Sequence, residues 1–191
     1  MSAFPELGPR PRLGYTASLI DRGAERRLDS AWLAGCMTDT RTLAYVVGGE
    51  LIVLKKRGNG FDPTFAPDEA RALAPVAESV FLGLIDGAAH FGFGIAQASA
   101  EALKARNDLH VIDLRSIAVQ GLVEAEHLPP LAEAKAMLHW HARHRFCSNC
   151  GIATDMVEGG WKRACPACKV EHFPRTDPVV IMLAVRGDRG L

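Results

Sequence analysis

The sequence lacks a long apolar run, an excess of either charge, and more than a handful of cysteines, and each lack narrows what the chain can be. Its longest uninterrupted apolar stretch, Val179–Val185, is far shorter than the about 20 residues a helix needs to cross a bilayer. Met1–Tyr15 carries Pro5, Pro9 and Pro11 among arginines and has no apolar core of the secretory-signal kind, so the expectation is a soluble, cytoplasmic protein with no membrane partner. Basic residues number 22 and acidic residues 22. A protein that coats nucleic acid carries a large basic surplus to neutralise phosphates, and none is present. With only five cysteines and no leader, a disulfide framework is disfavoured. Apolar material is plentiful: 48% of 191 residues is enough for one domain with a sizeable core plus smaller modules.

Four of the five cysteines stand in one pattern. Cys147 and Cys150, then Cys165 and Cys168, read C-x₂-C-x₁₄-C-x₂-C. Two such knuckles joined by a hairpin-length segment can set four thiolates at the corners of a tetrahedron, as a closed structural Zn²⁺ site requires. Gly151 ends the first knuckle, and Gly159-Gly160 supplies a turn before Trp161. The order is knuckle, strand, turn, strand, knuckle: a zinc ribbon. A thioredoxin-like redox pair is the competing reading, but that motif opens a helix after a strand rather than coming as a matched couple with glycine turns. The fifth cysteine, Cys36, reads as a small buried hydrophobe rather than a nucleophile or ligand.

The rest of the chain predicts an α+β fold. Residues up to about 40 read as loop-rich, with Trp32–Met37 a short strand or recognition segment. Thr42–Val47 and Glu50–Lys55, joined by Gly48-Gly49, predict a hairpin. A short helix is expected from Asp68 toward Ala74. A second hairpin, Ser79–Ile85 and Ala88–Ile95, turns on Asp86-Gly87, the strongest short-range hairpin signal. Phe91, Phe93 and Ile95 are expected to face the core, leaving Gly92 and Gly94 on the other face, where glycine marks close approach of another backbone. Ser99 is expected to cap a short helix, and His110–Arg115 to begin a further element.

From Leu128 to His144 apolar residues recur at three- and four-residue steps after Pro129-Pro130, predicting a helix with a cationic C-terminal end. His139, His141 and His144 invite a metal reading, but four thiolates saturate a tetrahedral site. These histidines are expected to be exposed or capping residues. Val179–Val185 reads as a buried strand, followed by a turn and the first residue of a returning strand. Because a lone apolar strand invites aggregation, the sequence is expected to be the N-terminal part of something longer.

The runs Trp140–Gly151, Gly159–Cys168 and His172–Ile181 resemble the NADH pyrophosphatase branch of the Nudix hydrolases. That resemblance implies a rudimentary Nudix-like domain over 1–125, a linking helix over 126–145, a zinc ribbon over 146–175, and the start of a truncated catalytic Nudix domain over 176–191. It implies hydrolysis of the pyrophosphate of NADH or NAD⁺ to nicotinamide mononucleotide and AMP, with removal of an NAD cap from RNA known for some members. It also implies Mg²⁺ or Mn²⁺ held by a carboxylate-rich box, and a homodimer. The box needs Arg-Glu and Glu-Glu pairs, and the chain contains neither, so no catalytic residue maps onto it and it is expected to be inactive alone. The resemblance does place the zinc ligands on Cys147, Cys150, Cys165 and Cys168, and it places Phe173 where an aromatic lies against a bound base. The plain alternative is that Phe173 packs the ribbon onto the following strand. Gly160 departs from the pattern, standing where some members carry an acidic substrate contact. Arg115 and Arg175 read as structural or surface residues. A different function class stays open beside this one: a stand-alone zinc-ribbon module binding RNA or a protein partner through Arg143, Arg145, Lys162, Arg163, Lys169 and Arg175.

Overall fold

The computed structural model describes Tyr15, residues 18–177 and residues 181–190. Most of the proline-bearing N-terminal segment and the first part of the expected Val179–Val185 strand lie outside the described residues. In chain order the elements are α1 (Ser30–Cys36), β1 (Leu43–Gly48), β2 (Leu51–Arg57), β3 (Gly60–Asp62), β4 (Thr64–Phe65), α2 (Pro67–Leu73), β5 (Val76–Ile85), β6 (Ala88–Ile95), α3 (Gln97–Leu103), β7 (Leu109–Asp113), α4 (Leu114–Gln120) and α5 (Leu128–Arg143). The ribbon strands β8 (Asp155–Val157), β9 (Lys162–Ala164) and β10 (Glu171–His172) follow, then a small hairpin, β11 (Val185–Arg186) and β12 (Arg189–Gly190).

One mixed sheet, built from strands between Leu43 and Asp113, organises the part of the chain before the ribbon. β1 runs parallel to β6, and β6 forms an antiparallel hairpin with β5. On its other edge β1 pairs with β2 near its end and with β4 near its start, while β2 pairs with β3 beyond the point where β1 leaves it. β1 and β2 therefore splay, and β3 and β4 fill the wedge between them. β7 closes the far side of β2.

Alternation along the strands divides the core in two. One face carries Val46, Val53, Phe65, Phe81, Phe91 and Phe93 under the three short helices α1 to α3. The other carries Tyr45, Val47, Ile52, Leu54, Val80 and Leu82 against Ile117 of α4 and Leu131, Ala134 and Leu138 of α5. At about 25 cal/mol per Å² of apolar area removed from water, these two clusters are the main stabilising term. The expected glycine stripe has a definite partner: a Cβ on Gly92 would meet the Cβ of Ala134 at 2.9 Å, and one on Gly94 would meet Leu138 Cδ2 at 3.0 Å. α5 lies on the sheet because β6 has no side chains there.

Several expectations are corrected. Trp32–Met37 is not a strand: Asp29 accepts from the Trp32 amide at 2.9 Å and caps α1, whose Leu33 and Cys36 pack on the core. The first hairpin turns one residue later, on Gly49-Glu50, because Gly48 remains in the strand, packed against Ala100 with no room for a Cβ. Ser99 lies inside α3, and Ala96 precedes that helix without a side-chain bond. Asp113 is the capping residue the sequence hid, accepting from the amide and hydroxyl of Ser116. Where described, the segment read as a buried strand is not buried: Ile181–Ala184 carry no regular structure, Ile181 is 99% exposed, and only Val185 is in a strand, exposed and paired with Gly190 in the small hairpin.

Candidate metal centre and its docking

The two knuckles are built alike. The Cys147 amide donates to the Ile152 carbonyl at 2.8 Å, and the Gly151 amide returns to the Cys147 carbonyl at 2.8 Å. In the second knuckle the Cys165 amide donates to Val170 at 2.9 Å and the Lys169 amide to Cys165 at 3.1 Å. Each loop needs a left-handed residue four places after its first cysteine: Gly151 with φ 76° and Lys169 with φ 63°. Glycine meets that demand freely, and Lys169 meets it under strain.

This geometry brings all four predicted cysteines together. Their sulfurs lie within 4.8 Å of one another, with Cys147 and Cys168 at 3.6 Å and Cys150 and Cys165 at 3.4 Å. A tetrahedron with Zn–S distances of about 2.3 Å has edges of about 3.8 Å, so the donor set and its spacing fit zinc. His172 Nε2 stands 3.4 Å from the Cys147 sulfur. It is the outer partner that steadies such a ligand, and the spacing of the cysteines gave no sign of it. Cys36 stays apart from this group, half-buried against the core, with its thiol pushed up by burial and by Asp39.

The ribbon's three-stranded sheet is ordered β10-β9-β8, and the Glu158–Gly160 turn between β8 and β9 packs on the edge of β5, which Asp21 also bridges at Leu84. The turn before Trp161 enters that contact: a Cβ on Gly160 would meet the Val80 side chain at 3.0 Å, and its φ is 93°. Gly160 is thus a packing residue, which explains why no acidic side chain stands there. The Trp161 indole nitrogen donates to the Phe81 carbonyl at 2.7 Å, and the Arg27 guanidinium lies 4.1 Å from the indole centroid. Trp161 is spent within its own chain.

A buried polar cluster fastens the same junction. His141, expected to be exposed or capping, is 0% exposed. Its Nε2 lies 2.7 Å from the Gly160 carbonyl, and its Nδ1 lies 3.1 Å from an Arg163 terminal nitrogen. Arg163 donates to the hydroxyl and carbonyl of Thr154, both at 2.7 Å, and sits 3.6 Å from Glu78. Desolvation holds the His141 pKa below its ordinary value, against the opposing bond to the Gly160 carbonyl. Sequence reasoning missed this group, because a histidine beside a cysteine knuckle reads as a ligand or a surface residue. The other two histidines match their expected roles: His144 is exposed, with Nδ1 bonded to the Trp140 carbonyl, and His139 is half-exposed beside Glu50.

Phe173 is 60% exposed. Phe146, Ile152 and Val170 are exposed around the same module. Arg175 pairs with Asp177, Lys162 pairs with Glu158 and Glu171, and Arg115 is on the surface. Of the basic residues named for nucleic-acid binding, Arg145, Lys162, Arg163 and Arg175 lie against carboxylates.

Two family models match the chain in tandem. Residues 41–140 match the NADH pyrophosphatase-like rudimentary NUDIX domain, and residues 142–173 match the NADH pyrophosphatase zinc ribbon domain. Among similar proteins, the human NAD-capped RNA hydrolase NUDT12 is 29% identical over 216 residues, covering 91% of this chain and 46% of that protein. The Mycobacterium tuberculosis NAD-capped RNA hydrolase NudC is 31% identical over 113 residues, covering 59% and 35%. The mouse mitochondrial NAD(P)H pyrophosphatase NUDT13 is 44% identical over 61 residues, covering 32% and 17%. The chain spans about half the length of the first of these relatives, and less of the others.

Proposed function

Because the chain belongs to the NADH pyrophosphatase-like rudimentary NUDIX family and carries that family's zinc ribbon, we propose that it is the N-terminal and zinc-ribbon part of an NAD(H) diphosphatase. The reaction is cleavage of the pyrophosphate of NADH, NAD⁺ or an NAD-capped RNA, giving a nicotinamide mononucleotide and AMP or the trimmed RNA. The observation that carries this reading is the tandem itself: a tetrathiolate ribbon locked by Trp161 and His141 onto a rudimentary NUDIX sheet.

Within that activity the chain's own residues supply structure and one wall of the site. Zinc held by Cys147, Cys150, Cys165 and Cys168 would fix the hairpin that ends beside Phe173. The exposed ring of Phe173 would be free to lie against the heteroaromatic base of the substrate. Water attack on phosphorus needs divalent ions, Mg²⁺ or Mn²⁺, on a carboxylate box that these 191 residues do not contain. A homodimer belongs to the same proposal, with the exposed set Phe146, Ile152, Val170 and Phe173 as the surface that favours it.

The test is an assay of NADH hydrolysis with Mg²⁺ or Mn²⁺. Residues 1–191 should release no AMP above a mock purification, while a longer chain carrying the box should release it, and replacing Phe173 by Ala in that longer chain should raise KM. AMP release by the short chain, or an unchanged KM, would count against the assignment. Light scattering tests the dimer separately.

A further inference from the structure

His141 sits between two partners that leave it one protonation state. The Gly160 carbonyl only accepts, so Nε2 carries the hydrogen and donates over 2.7 Å. The Arg163 guanidinium only donates, so Nδ1 must present a lone pair across 3.1 Å. A second proton on Nδ1 would put an imidazolium against a guanidinium in a fully buried position. We propose that docking of the zinc ribbon on the NUDIX-like domain is proton-linked through His141, so that mild acid loosens the ribbon from the edge of β5.

The charged groups around the ring agree with that direction. Arg163 from β9 and His144, which follows the end of α5, disfavour a positive ring. Glu78 from β5 favours one, but its carboxylate already serves Arg163 at 3.6 Å and Arg145 at 4.0 Å. Burial outweighs it, and the folded pKa lies below 6.5. For a histidine lowered on docking, the undocked state binds the extra proton first. Docking is therefore at full strength above about pH 6.5 and weakens as pH falls below it, toward the folded pKa. Arg27 and Arg22, over the Trp161 ring, lie at the same junction, with Glu133 facing Arg22. Glu133 is raised by burial against the pull of Arg22 and Arg27, and so would gain its own proton in acid. A replacement at His141 separates the two.

The experiment follows the Trp161 indole N–H, whose bond to the Phe81 carbonyl exists only when the ribbon is docked. Its hydrogen-exchange protection factor, corrected for intrinsic exchange, should fall by up to about tenfold between pH 7.5 and pH 5.5 in the zinc-loaded chain, tenfold being the most that protonating one group of pKa about 6.5 on opening produces. In His141→Gln the amide can donate to Gly160 and accept from Arg163 without titrating, so protection should be flat over that range. Bound zinc is measured at both pH values. Protection that does not fall in the native chain, or that falls equally in the Gln variant, overturns the proposal, as does loss that merely tracks zinc release. If His141→Gln fails to fold, the NMR titration of His141 in the native chain decides: a pKa at or above 6.5 overturns it, and one below supports it.

Discussion

The indole nitrogen of Trp161 and the carbonyl of Phe81, eighty residues apart in sequence, are 2.7 Å apart in space and join the ribbon to the sheet. Trp161→Phe keeps most of the ring and loses the bond, at an expected cost of about 1–2 kcal/mol with the Phe81 carbonyl left unpaired. Trp161→Ala also empties the site between Arg27 and Val80 and should cost about 3–5 kcal/mol. Denaturant unfolding of the three proteins measures both. Equal stabilities would show that the ribbon is not held at this point.

Close approach of α5 to β6 makes a second expectation. Gly92→Ala places a methyl against the Ala134 Cβ and Cα and should destabilise by about 1–3 kcal/mol. Gly94→Ala is crowded by the end of the Leu138 side chain, which can rotate, and meets the Glu78 carbonyl at an ordinary 3.5 Å, so it should be milder. Adding Ala134→Gly should recover part of the Gly92→Ala loss, whereas two independent, additive losses would mean the contact is not shared.

Gly151 and Lys169 occupy equivalent left-handed positions, and only one of them is glycine. Lys169→Gly relieves an αL penalty and should raise the melting temperature of the zinc-loaded chain, by the equivalent of about 0.5–1 kcal/mol. Gly151→Val should lower it. A lower melting temperature for Lys169→Gly would mean that the bond from Lys169 Nζ to the Pro166 carbonyl outweighs the backbone strain.

His90 gives a pH dependence unrelated to the ribbon. Burial, followed by the nearby His127, lowers its pKa from 6.5 to about 4, and its Nδ1 has no partner. The stability that comes with neutral His90 is complete above pH 6.5. It is lost as pH falls toward 4, because the unfolded chain takes up the proton first. His90→Leu should therefore move the acid-unfolding midpoint to lower pH. An unmoved midpoint would show that His90 is not protonated on unfolding in this range.

How much of this was legible in the sequence differs by element. The second hairpin was readable because Asp86-Gly87 admits positive φ at both positions, 50° and 75°. The cysteine pattern was readable because thiolate chemistry fixes its spacing. The wedge of β3 and β4 was not, since strands of three and two residues carry no periodicity. Nor was the capped helix α1, whose Asp29 cap was overlooked beside an apolar run that also suits a strand. His141 was misread because its partners, Gly160 and Arg163, lie nineteen and twenty-two residues away, on a hairpin whose docking only the fold reveals. Phe173 was readable as an aromatic at a family position, but its exposure was not.

The zinc content of the purified chain tests the central claim most directly. Elemental analysis should find about one zinc per chain, lost in Cys165→Ser and kept in Cys36→Ser. Its removal by a chelator should free the Trp161 indole while the mixed sheet stays folded, because metal binding supplies the folding free energy of so small a module. A chain purified without zinc, or a Cys165→Ser variant with unchanged metal content and an unchanged Trp161 environment, would contradict the assignment of the ribbon and the function proposed on it.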